Sequence, residues 1–378
     1  MMKRLVSFAR KNIRTYFPKM QIMEGKDGTA AFLGHIDRRA SISGFFCGQD
    51  PVITSNASVS KSALTEKVLD QSSQGRAVVI AQNMWPFISK DHARFFIEAP
   101  LQVTLKKPIP ETHDDLMNSV RNSTTKEDLR RIRKAEFTYR VSRDPDDITV
   151  FHRDYYVPVV NKQFPDDGQI MSLRKMLSVL ERGGELVCAD IGDKWVAGLF
   201  IMSAKGNYEM GPMGIYQADD VYRQQRVVSA LLVGSMQYAV ERKCTTATLG
   251  YSLPFLGKGP IWFKAKWGCD LKFHQGGETA YLLLDLRQQS TQRTLTDSPI
   301  VHRHDGKMVA SAWLDNSDSC RNTLVREINR MDSITHWHIF GQEEAISNAG
   351  PLNDLEHVRL VSCDPGSSDP IWLGEQIR

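Results

Sequence analysis

Alternation of apolar and polar residues is clearest in the middle of the chain, where it predicts strands and helices in a regular order. Residues 137–141 alternate as a strand. Before them, Thr124-Thr125-Lys126-Glu127 has capping-box spacing and predicts the start of a helix rich in basic residues. After them, Asp146 or Asp147 can cap a helix that extends to Phe164. A second helix has apolar residues at core spacing and ends at a glycine pair: Ile170, Leu173, Leu177, Leu180 and Gly183-Gly184.

Three strands in succession then predict an antiparallel meander, over residues 185–191, 195–203 and 208–215. A long helix over 220–242 and a strand over 245–250 follow. The usual right-handed crossover requires this strand to lie parallel to the strand before the helix.

Shorter elements complete the central region. Pro260 stands where the first turn of a short helix would begin. Residues 271–274 and 279–286 then predict a hairpin that closes over Gly276-Gly277. Before the central region, the segment 106–115 contains two prolines and predicts a linker, and the Gln-, Ser- and Thr-rich segment 288–299 predicts a domain boundary.

The ends of the chain carry weaker patterns. Residues 77–81 predict a buried strand, 95–104 one or two further strands, and 58–70 a helix. The tail predicts a small βαβ-like unit with parallel strands, built from residues 308–314, 320–331, 336–340 and 358–362. The sequence thus predicts three domains: an N-terminal α/β region at 1–115 that helps to shape an acceptor site, a central domain at 116–288, and a C-terminal α/β unit at 300–378.

Two central segments carry ordered motifs. One is Leu129-Arg-Arg-Ile-Arg-Lys-Ala-Glu136, and the other is Leu253-Pro-Phe-Leu-Gly-Lys-Gly-Pro-Ile-Trp-Phe-Lys-Ala-Lys-Trp-Gly268. With the element order from Glu136 to Leu286, they resemble the GNAT acyltransferase superfamily. More narrowly they resemble its Fem-like branch, which includes acyltransferases of exopolysaccharide and cellulose biosynthesis and aminoacyltransferases that use charged tRNA. The resemblance implies an α/β (α+β) fold, in which a splayed mixed sheet is flanked by the two small terminal regions.

The resemblance also implies a phosphate-bearing acyl donor as co-substrate, with no tightly bound cofactor. Classical GNAT enzymes hold the pyrophosphate of coenzyme A in a Q/R-x-x-G-x-G/A loop at a helix start. Here the corresponding segment, Asp219-Asp220-Val-Tyr-Arg-Gln-Gln-Arg-Val-Val-Ser-Ala230, contains no glycine. The donor therefore stays open between acyl-CoA and aminoacyl-tRNA.

The donor slot of a GNAT sheet lies beside its fourth strand, here the strand predicted at 208–215. Gly211, Met213 and Gly214 are accordingly interpreted as donor contacts. The two glycines permit a close backbone approach, and bulges in the strand would explain them equally well.

Four cations near the expected slot are further donor-binding candidates. Arg223 and Arg226 stand one turn apart at the helix start, where they could clamp phosphates or pair with neighbouring aspartates on a solvated face. Lys264 and Lys266 alternate with aromatic residues and could bind donor phosphate or a tRNA end, or simply extend into water from a buried aromatic face.

Acyl transfer to an amine also needs proton management. Glu209, on the expected sheet edge, could take the proton of the amine, and Tyr251, at the end of the next strand, could protonate the leaving group. An exposed strand glutamate and a packing tyrosine are the structural alternatives. Asp190 is a weaker candidate for the base.

Composition restricts the class of protein and the kinds of cysteine and metal site that the chain can contain. The chain has 378 residues, a net charge of +4, and 41% hydrophobic and 24% charged residues, which is typical of globular protein and not of a dedicated nucleic-acid binder. Its six cysteines form no CxxC pair, which favours reduced thiols without structural zinc or a cysteine nucleophile. The pairs His302-Arg-His304 and His336-Trp-His338 are interpreted as packing residues, so no metal site is expected.

Basic residues alternate with apolar residues at the N-terminus, but this segment lacks the features of a signal peptide. Residues 1–20 could lie on an anionic membrane or on RNA, or pack on the protein body. No apolar run is long enough to span a bilayer. We therefore expect a cytoplasmic protein of bacterial type, with peripheral membrane contact through residues 1–20 left open.

The sequence as a whole favours an N-acyltransferase that moves an acyl group from acyl-CoA to an amine of a sugar, an amino acid or another small metabolite. The alternative enzyme uses aminoacyl-tRNA and forms a peptide bond, with tRNA as its partner. A catalytically degenerate GNAT domain that serves as a binding module is the alternative from another class.

Overall fold

The computed structural model describes residues 19–34, 42, 45–47, 51–60, 63–120, 122–163, 170–204, 206–257, 259–274 and 277–378. The predictions for the basic segment before Lys19, for a helix end at Phe164 and for Gly276 lie outside these residues. The chain divides into two compact units. The first comprises residues 1–103, 253–262 and 273–378, and the second comprises 104–252 and 263–272. The sequence analysis instead placed its boundaries near residues 115 and 288.

The strands are, in chain order, β1 (Lys19–Gly25), β2 (Gly28–Leu33), β3 (Val52–Ser58), β4 (Ala77–Ala81), β5 (Phe96–Pro100), β6 (Val103–Pro108), β7 (Phe137–Ser142), β8 (Gly184–Ile191), β9 (Lys194–Ala204), β10 (Asn207–Ile215), β11 (Thr246–Ser252), β12 (Asp270–Phe273), β13 (Thr279–Leu283), β14 (Ile300–His304), β15 (Lys307–Leu314), β16 (His336–Gly341) and β17 (Val358–Ser362).

The α-helices are α1 (Leu64–Ser73), α2 (His113–Val120), α3 (Lys126–Lys134), α4 (Pro145–Val150), α5 (Val157–Gln163), α6 (Leu173–Glu181), α7 (Asp220–Gln224), α8 (Val227–Glu241), α9 (Pro260–Ala265), α10 (Gln289–Asp297), α11 (Asp318–Ile328), α12 (Glu343–Ser347) and α13 (Leu373–Gln376). A π-helical segment, Phe151–Tyr156, joins α4 to α5. None of the described helices is long and apolar enough to cross a bilayer.

The sheet of the second unit runs in the order β12-β6-β11-β10-β9-β8-β7 among the described strands. Strands β7 to β10 are antiparallel in succession, which confirms the predicted meander. Strand β11 is parallel to β10, as the crossover through the intervening helix requires.

The sheet of the first unit runs in the order β17-β16-β15-β14-β5-β13-β4-β2-β1-β3 over the same described part of the chain. Strands β15, β16 and β17 are parallel, and α11 joins the first two, which confirms the predicted βαβ-like tail. Strands β2 and β4 are also parallel, with α1 between them in the chain. The mixed α/β class predicted from the sequence is therefore confirmed.

The hairpin predicted at 271–286 is wrong. Strand β12 lies beside β6 in the second unit, whereas β13 lies between β5 and β4 in the first. Strand β6 extends into the predicted linker at 106–115, and it lies between β12 and β11. Alternation predicts that a segment is a strand, but it does not record which distant strand supplies its hydrogen bonds.

Three further local predictions are corrected. The hydroxyl of Thr125 donates to the carbonyl of Val120, so α3 begins without a capping box. Helix α4 is capped by Asp144, whose carboxylate accepts from the backbone of Asp146. The segment predicted as a boundary at 288–299 contains α10, because its polar residues are threonines and glutamines that bond within the unit.

Two histidines of the predicted pairs are buried in the sheet of the first unit. His302 on β14 is fully buried, and its Nε2 lies 2.9 Å from the Ser311 hydroxyl. His338 lies on β16, on the other side of β15. Burial lowers the pKa of His302 to about 3 and that of His338 to about 4.

We therefore expect the free energy of unfolding to fall when the pH is lowered from 7 to 5. Unfolded histidines titrate near ~6.5, so below that pH the unfolded chain binds protons that the native state excludes until about pH 3–4. Each histidine should contribute a loss of roughly 2 kcal/mol at pH 5. Urea unfolding at the two pH values should show a smaller loss for His302→Gln, whose amide can still bond Ser311. An unchanged pH dependence in that variant would contradict this account.

Candidate active site

The strands β10 and β11 part from each other inside the second unit. Their ladder pairs Asn207 with Thr246 and continues to Glu209 with Thr248, within the described segment 206–257. Beyond that pair, β10 continues to Ile215 and β11 continues to Ser252 without pairing with each other. Backbone groups of β10 that face away from β9 are thus available on one wall of a gap. The gap lies beside the strand at 208–215, where the sequence analysis placed the donor slot.

An irregular backbone accompanies the gap on both sides. The register between β10 and β9 shifts between Met210 and Met213, so a bulge lies where the strands begin to part. On β11, Gly250 has φ +62°, which a glycine adopts without steric cost. A Cβ on Gly250 would lie 3.5 Å from the Met210 carbonyl oxygen, so the base of the gap is narrow.

The two residues predicted to move protons lie on the two strands that border the gap. Glu209 belongs to the last pair of the ladder, and Tyr251 follows three residues after Thr248 on the opposite wall. Burial raises the pKa of the Tyr251 hydroxyl, and the charge of Glu209 raises this pKa further. Tyr251 is 41% exposed.

Lys264 reaches the same wall from α9. Its Nζ lies 3.1 Å from the Ser252 hydroxyl and 3.3 Å from the Tyr251 carbonyl oxygen. The ammonium group is therefore held beside the open end of β11.

The three strand residues predicted to contact the donor differ in their surroundings. Gly211 lies at the bulge, and a Cβ there would be 3.0 Å from the Phe200 carbonyl oxygen. Met213 is half-buried and pairs with β9. A Cβ on Gly214 would lie 2.5 Å from the backbone of Tyr155, so the close approach that this glycine permits is to the protein's own π-helical segment.

The long helix predicted at 220–242 is interrupted at its start. It consists of the short α7 and of α8, and Arg226 between them has φ +68°, in the left-handed region. This strained residue stands at the N-cap of α8, on the connection that leaves β10. The interruption was not predicted because arginine rarely takes this conformation.

The two arginines at this start have different partners. Arg223 Nε lies 3.7 Å from the Asp220 carboxylate. When the side-chain amide of Gln163 is oriented so that its oxygen accepts, both terminal nitrogens of Arg223 lie 2.7 Å from that amide oxygen. Asp220 also accepts from Lys162 at 2.8 Å. Arg223 is thus held within the protein surface, as the solvated-face interpretation expects.

Arg226 instead takes part in a buried charge cluster. The carboxylate of Asp128 on α3 lies 3.2 Å from Arg226 Nε and 2.6 Å from Lys266 Nζ, and it accepts from the Ser229 hydroxyl at 2.9 Å. The side chains of Asp128 and Lys266 are 6% and 8% exposed. Lys266 is therefore not a surface lysine, and its backbone carbonyl accepts from Asn122.

Sequence reasoning missed Asp128. It stands in a helix whose basic residues predict a solvated face, and only its place beside the buried Leu129 hinted at an inward position. The tryptophan of the same motif as Lys266, Trp267, is fully buried, which explains why the motif combines charge with aromatic residues.

Other candidates lie away from the gap. Asp190 is on β8, two strands from β10, and it lies 3.6 Å from Arg140. Cys188, also on β8, is buried, and burial raises its pKa to about 12. All six cysteine thiols are buried and unpaired in the described chain.

Residues 118–253 match the family model of the acetyltransferase (GNAT) domain. The centre of this chain is a GNAT-type domain. The match contains both strands of the gap, Glu209, Tyr251 and the start of α8, so the GNAT-type domain includes the predicted slot.

Solved structures that match this chain include FemX, at 16% identity and a TM-score of 0.39, covering 71% of this chain and 89% of that one. L-PGS from Bacillus licheniformis is similar at 12% identity and a TM-score of 0.35, over 70% of this chain and 80% of that one. A GCN5-related N-acetyltransferase-like protein from Streptococcus suis has 11% identity and a TM-score of 0.29, over 70% and 82%. No curated protein matches the chain significantly.

Proposed function

We propose that the GNAT-type domain transfers an acyl group from a coenzyme A thioester to an amine by direct attack. The acceptor is an amine of a sugar, an amino acid or another small metabolite, which includes the exopolysaccharide precursors suggested by the Fem-like motifs. The observation that carries this proposal is the parting of β10 and β11 after Glu209 and Thr248. Such a gap lets a thioester lie against open backbone N–H groups, which stabilise an oxyanion.

Glu209 and Tyr251 then have separate roles in the reaction. The amine nitrogen bonds to the thioester carbonyl carbon, and Glu209 takes the proton that the nitrogen loses. When the C–S bond breaks, the electron pair leaves with sulfur, and Tyr251 supplies a proton to give the free thiol of coenzyme A. A phenol is protonated at neutral pH, as a general acid requires, and the raised pKa of Tyr251 extends that state to higher pH.

An aminoacyl-tRNA is the second donor that an observation favours. The basic helix α3 is joined to the start of α8 through the contact between Asp128 and Ser229. Exposed Arg133 and Lys134 lie on that helix, although Arg130 and Arg131 are paired with Glu127. A basic surface beside the donor helix suits a phosphodiester backbone.

A mass-spectrometric screen of amines with acyl-CoA donors tests the proposed reaction. We expect a product heavier by the acyl group, together with stoichiometric release of free coenzyme A. The control is Glu209→Gln, which keeps the shape of the side chain but cannot take the proton, and which should lower the rate about 100-fold.

The same screen separates the alternatives. Salt-sensitive binding of tRNA without affinity for coenzyme A would select the aminoacyl-tRNA donor. A cellular activity that survives both Glu209→Gln and Tyr251→Phe, without transfer in vitro, would select the binding module. Absence of binding to either donor would refute the acyltransferase.

A further inference from the structure

A cavity of about 250 Å³ opens between α2, α3, β7 and α8 of the second unit. Its walls are mostly apolar and are formed by Met117, Leu129, Ile132, Phe137, Tyr139 and Val233. Cavities for drug-sized molecules measure about 300–1,000 Å³, so this one suits a smaller ligand. Strands β8 and β9 separate β7 from β10, so the cavity does not belong to the gap between β10 and β11.

One wall of the cavity is an aromatic ring that the fold holds in place. The Tyr139 hydroxyl on β7 donates to the Ala230 carbonyl on α8 at 3.0 Å. A Cβ on Gly234 would lie 2.5 Å from the same ring, so the ring lies directly against the helix backbone. Glycine inside a helix lowers stability relative to alanine, and here it makes room for the ring. The packing of β7 on α8 therefore fixes this wall.

Two opposite charges stand at the solvent side of the cavity. Arg133 and Glu136 both line it, and both are exposed. In α3, Glu127 pairs with Arg130, three residues later, at 2.8 Å. Arg133 and Glu136 have the same spacing, yet in the described part of the chain no ion pair joins them, and Arg133 Nε donates to the Leu129 carbonyl at 3.3 Å instead. Both charges are therefore available to a ligand.

The backbone of Glu136 explains why the two charges stay apart. Glu136 follows the last turn of α3 with φ +52°, in the left-handed region. Its side chain therefore does not continue the helical surface on which residues three apart meet. A glycine or an asparagine usually occupies this position after a helix, because a Cβ makes the conformation unfavourable. Strained residues concentrate at binding sites, and this one brings a carboxylate to a cavity.

We propose that the cavity binds a free α-amino acid with a large apolar side chain. The fork of Arg133 binds the carboxylate, Glu136 accepts from the ammonium group, and the apolar side chain enters the cavity against Tyr139. A zwitterion satisfies both charges at once, which neither a simple anion nor a simple cation does. The motif at 129–136 contributes four residues to this site, namely Leu129, Ile132, Arg133 and Glu136. The proposal goes beyond acyl transfer and does not depend on it.

Titration calorimetry of the full chain with L-leucine and with L-phenylalanine tests the class of ligand. We expect one saturable site per chain for at least one of these amino acids. Its N-acetyl derivative lacks the ammonium group and its amide lacks the carboxylate, so each should bind roughly 10- to 100-fold more weakly than the parent. Glycine has no side chain to enter the cavity and should not bind.

Arg133→Gln and Glu136→Gln remove the two charges one at a time. Both residues are exposed, so the variants should fold, and each should weaken binding roughly 10- to 100-fold. Lys134→Gln is the matched control, because it removes an exposed charge of the same helix that does not line the cavity. It should bind like the wild-type protein, as should Glu209→Gln.

Glu136→Gly separates ligand binding from a structural role of this residue. Glycine adopts the left-handed conformation without strain, so the variant should resist urea at least as well as wild type. Its amino-acid binding should nevertheless fall as far as in Glu136→Gln. Normal binding in Glu136→Gly would contradict the proposal.

Three other results would overturn the assignment. They are a wild-type protein that binds neither amino acid at millimolar concentration, a blocked derivative that binds as tightly as its parent, and an equal loss in Lys134→Gln and Arg133→Gln. Tight binding of both blocked derivatives would indicate a groove for peptides instead. A protein that binds the amino acid but transfers no acyl group would support this site and refute only the proposed function.

Discussion

Replacing Tyr251 by phenylalanine should lower kcat for acyl transfer about 100-fold while leaving the KM for the donor nearly unchanged. Tyr251 lies on β11 beyond its last pair with β10, and burial and the charge of Glu209 raise the pKa of its hydroxyl. A phenol that stays protonated can deliver a proton to the departing sulfur, and phenylalanine can only fill the space. Steady-state release of free thiol measures both constants.

The control for this variant is Tyr281→Phe. The pKa of Tyr281 is also raised by burial, but this residue lies on β13 in the first unit and stacks on Trp85. Its loss should leave kcat unchanged. Equal rates in Tyr251→Phe and wild type would show that Tyr251 does not donate a proton in the reaction.

Replacing Gly214 by alanine should destabilise the protein by about 3 kcal/mol. An added Cβ would lie 2.5 Å from the backbone carbon of Tyr155 and 2.6 Å from the backbone nitrogen of Tyr156. Backbone atoms cannot rotate away as a side chain does, so β10 or the π-helical segment must move. Urea unfolding of both proteins at neutral pH measures the loss.

Gly192→Asn is the matched control for that loss. Gly192 has φ +56° in the turn between β8 and β9, and a Cβ there would meet nothing within 4 Å. Asparagine tolerates this conformation, so stability should change by less than about 1 kcal/mol. Similar losses at both positions would mean that steric contact at Gly214 is not the cause.

Local patterns predicted the elements of the GNAT-type domain well. The strand periods at 185–191, 195–203 and 208–215 each match a strand of the meander, and the helix after them returns the chain to a parallel strand. Such predictions succeed because the alternation of apolar and polar residues within a strand reflects which of its faces is buried. They succeed also because the crossover has one favoured hand.

The pairing of strands was predicted less well. The two units contain comparable β-α-β pairs, β2 with β4 and β10 with β11, but they differ in the gap. Strand β4 stays paired with the end of β2 from Ala77 to Ile80, whereas β11 leaves β10 after Thr248. Nothing in the local alternation of either pair distinguishes these outcomes.

The amino-acid sequence by itself determined the order of the elements and their mixed α/β class, because burial patterns and turn residues are local properties of the chain. The candidates Glu209 and Tyr251 came from the resemblance to the GNAT superfamily, which placed the expected slot beside their strands. Only the tertiary structure decided that β10 and β11 separate, that β6 and β13 pair with strands far away in the chain, and that Asp128 joins Arg226 to Lys266. Those arrangements depend on segments that are distant along the chain, as the 138 residues between Asp128 and Lys266 illustrate. Hydrogen-bond partners and compensating charges at such separations are selected by the folded chain as a whole.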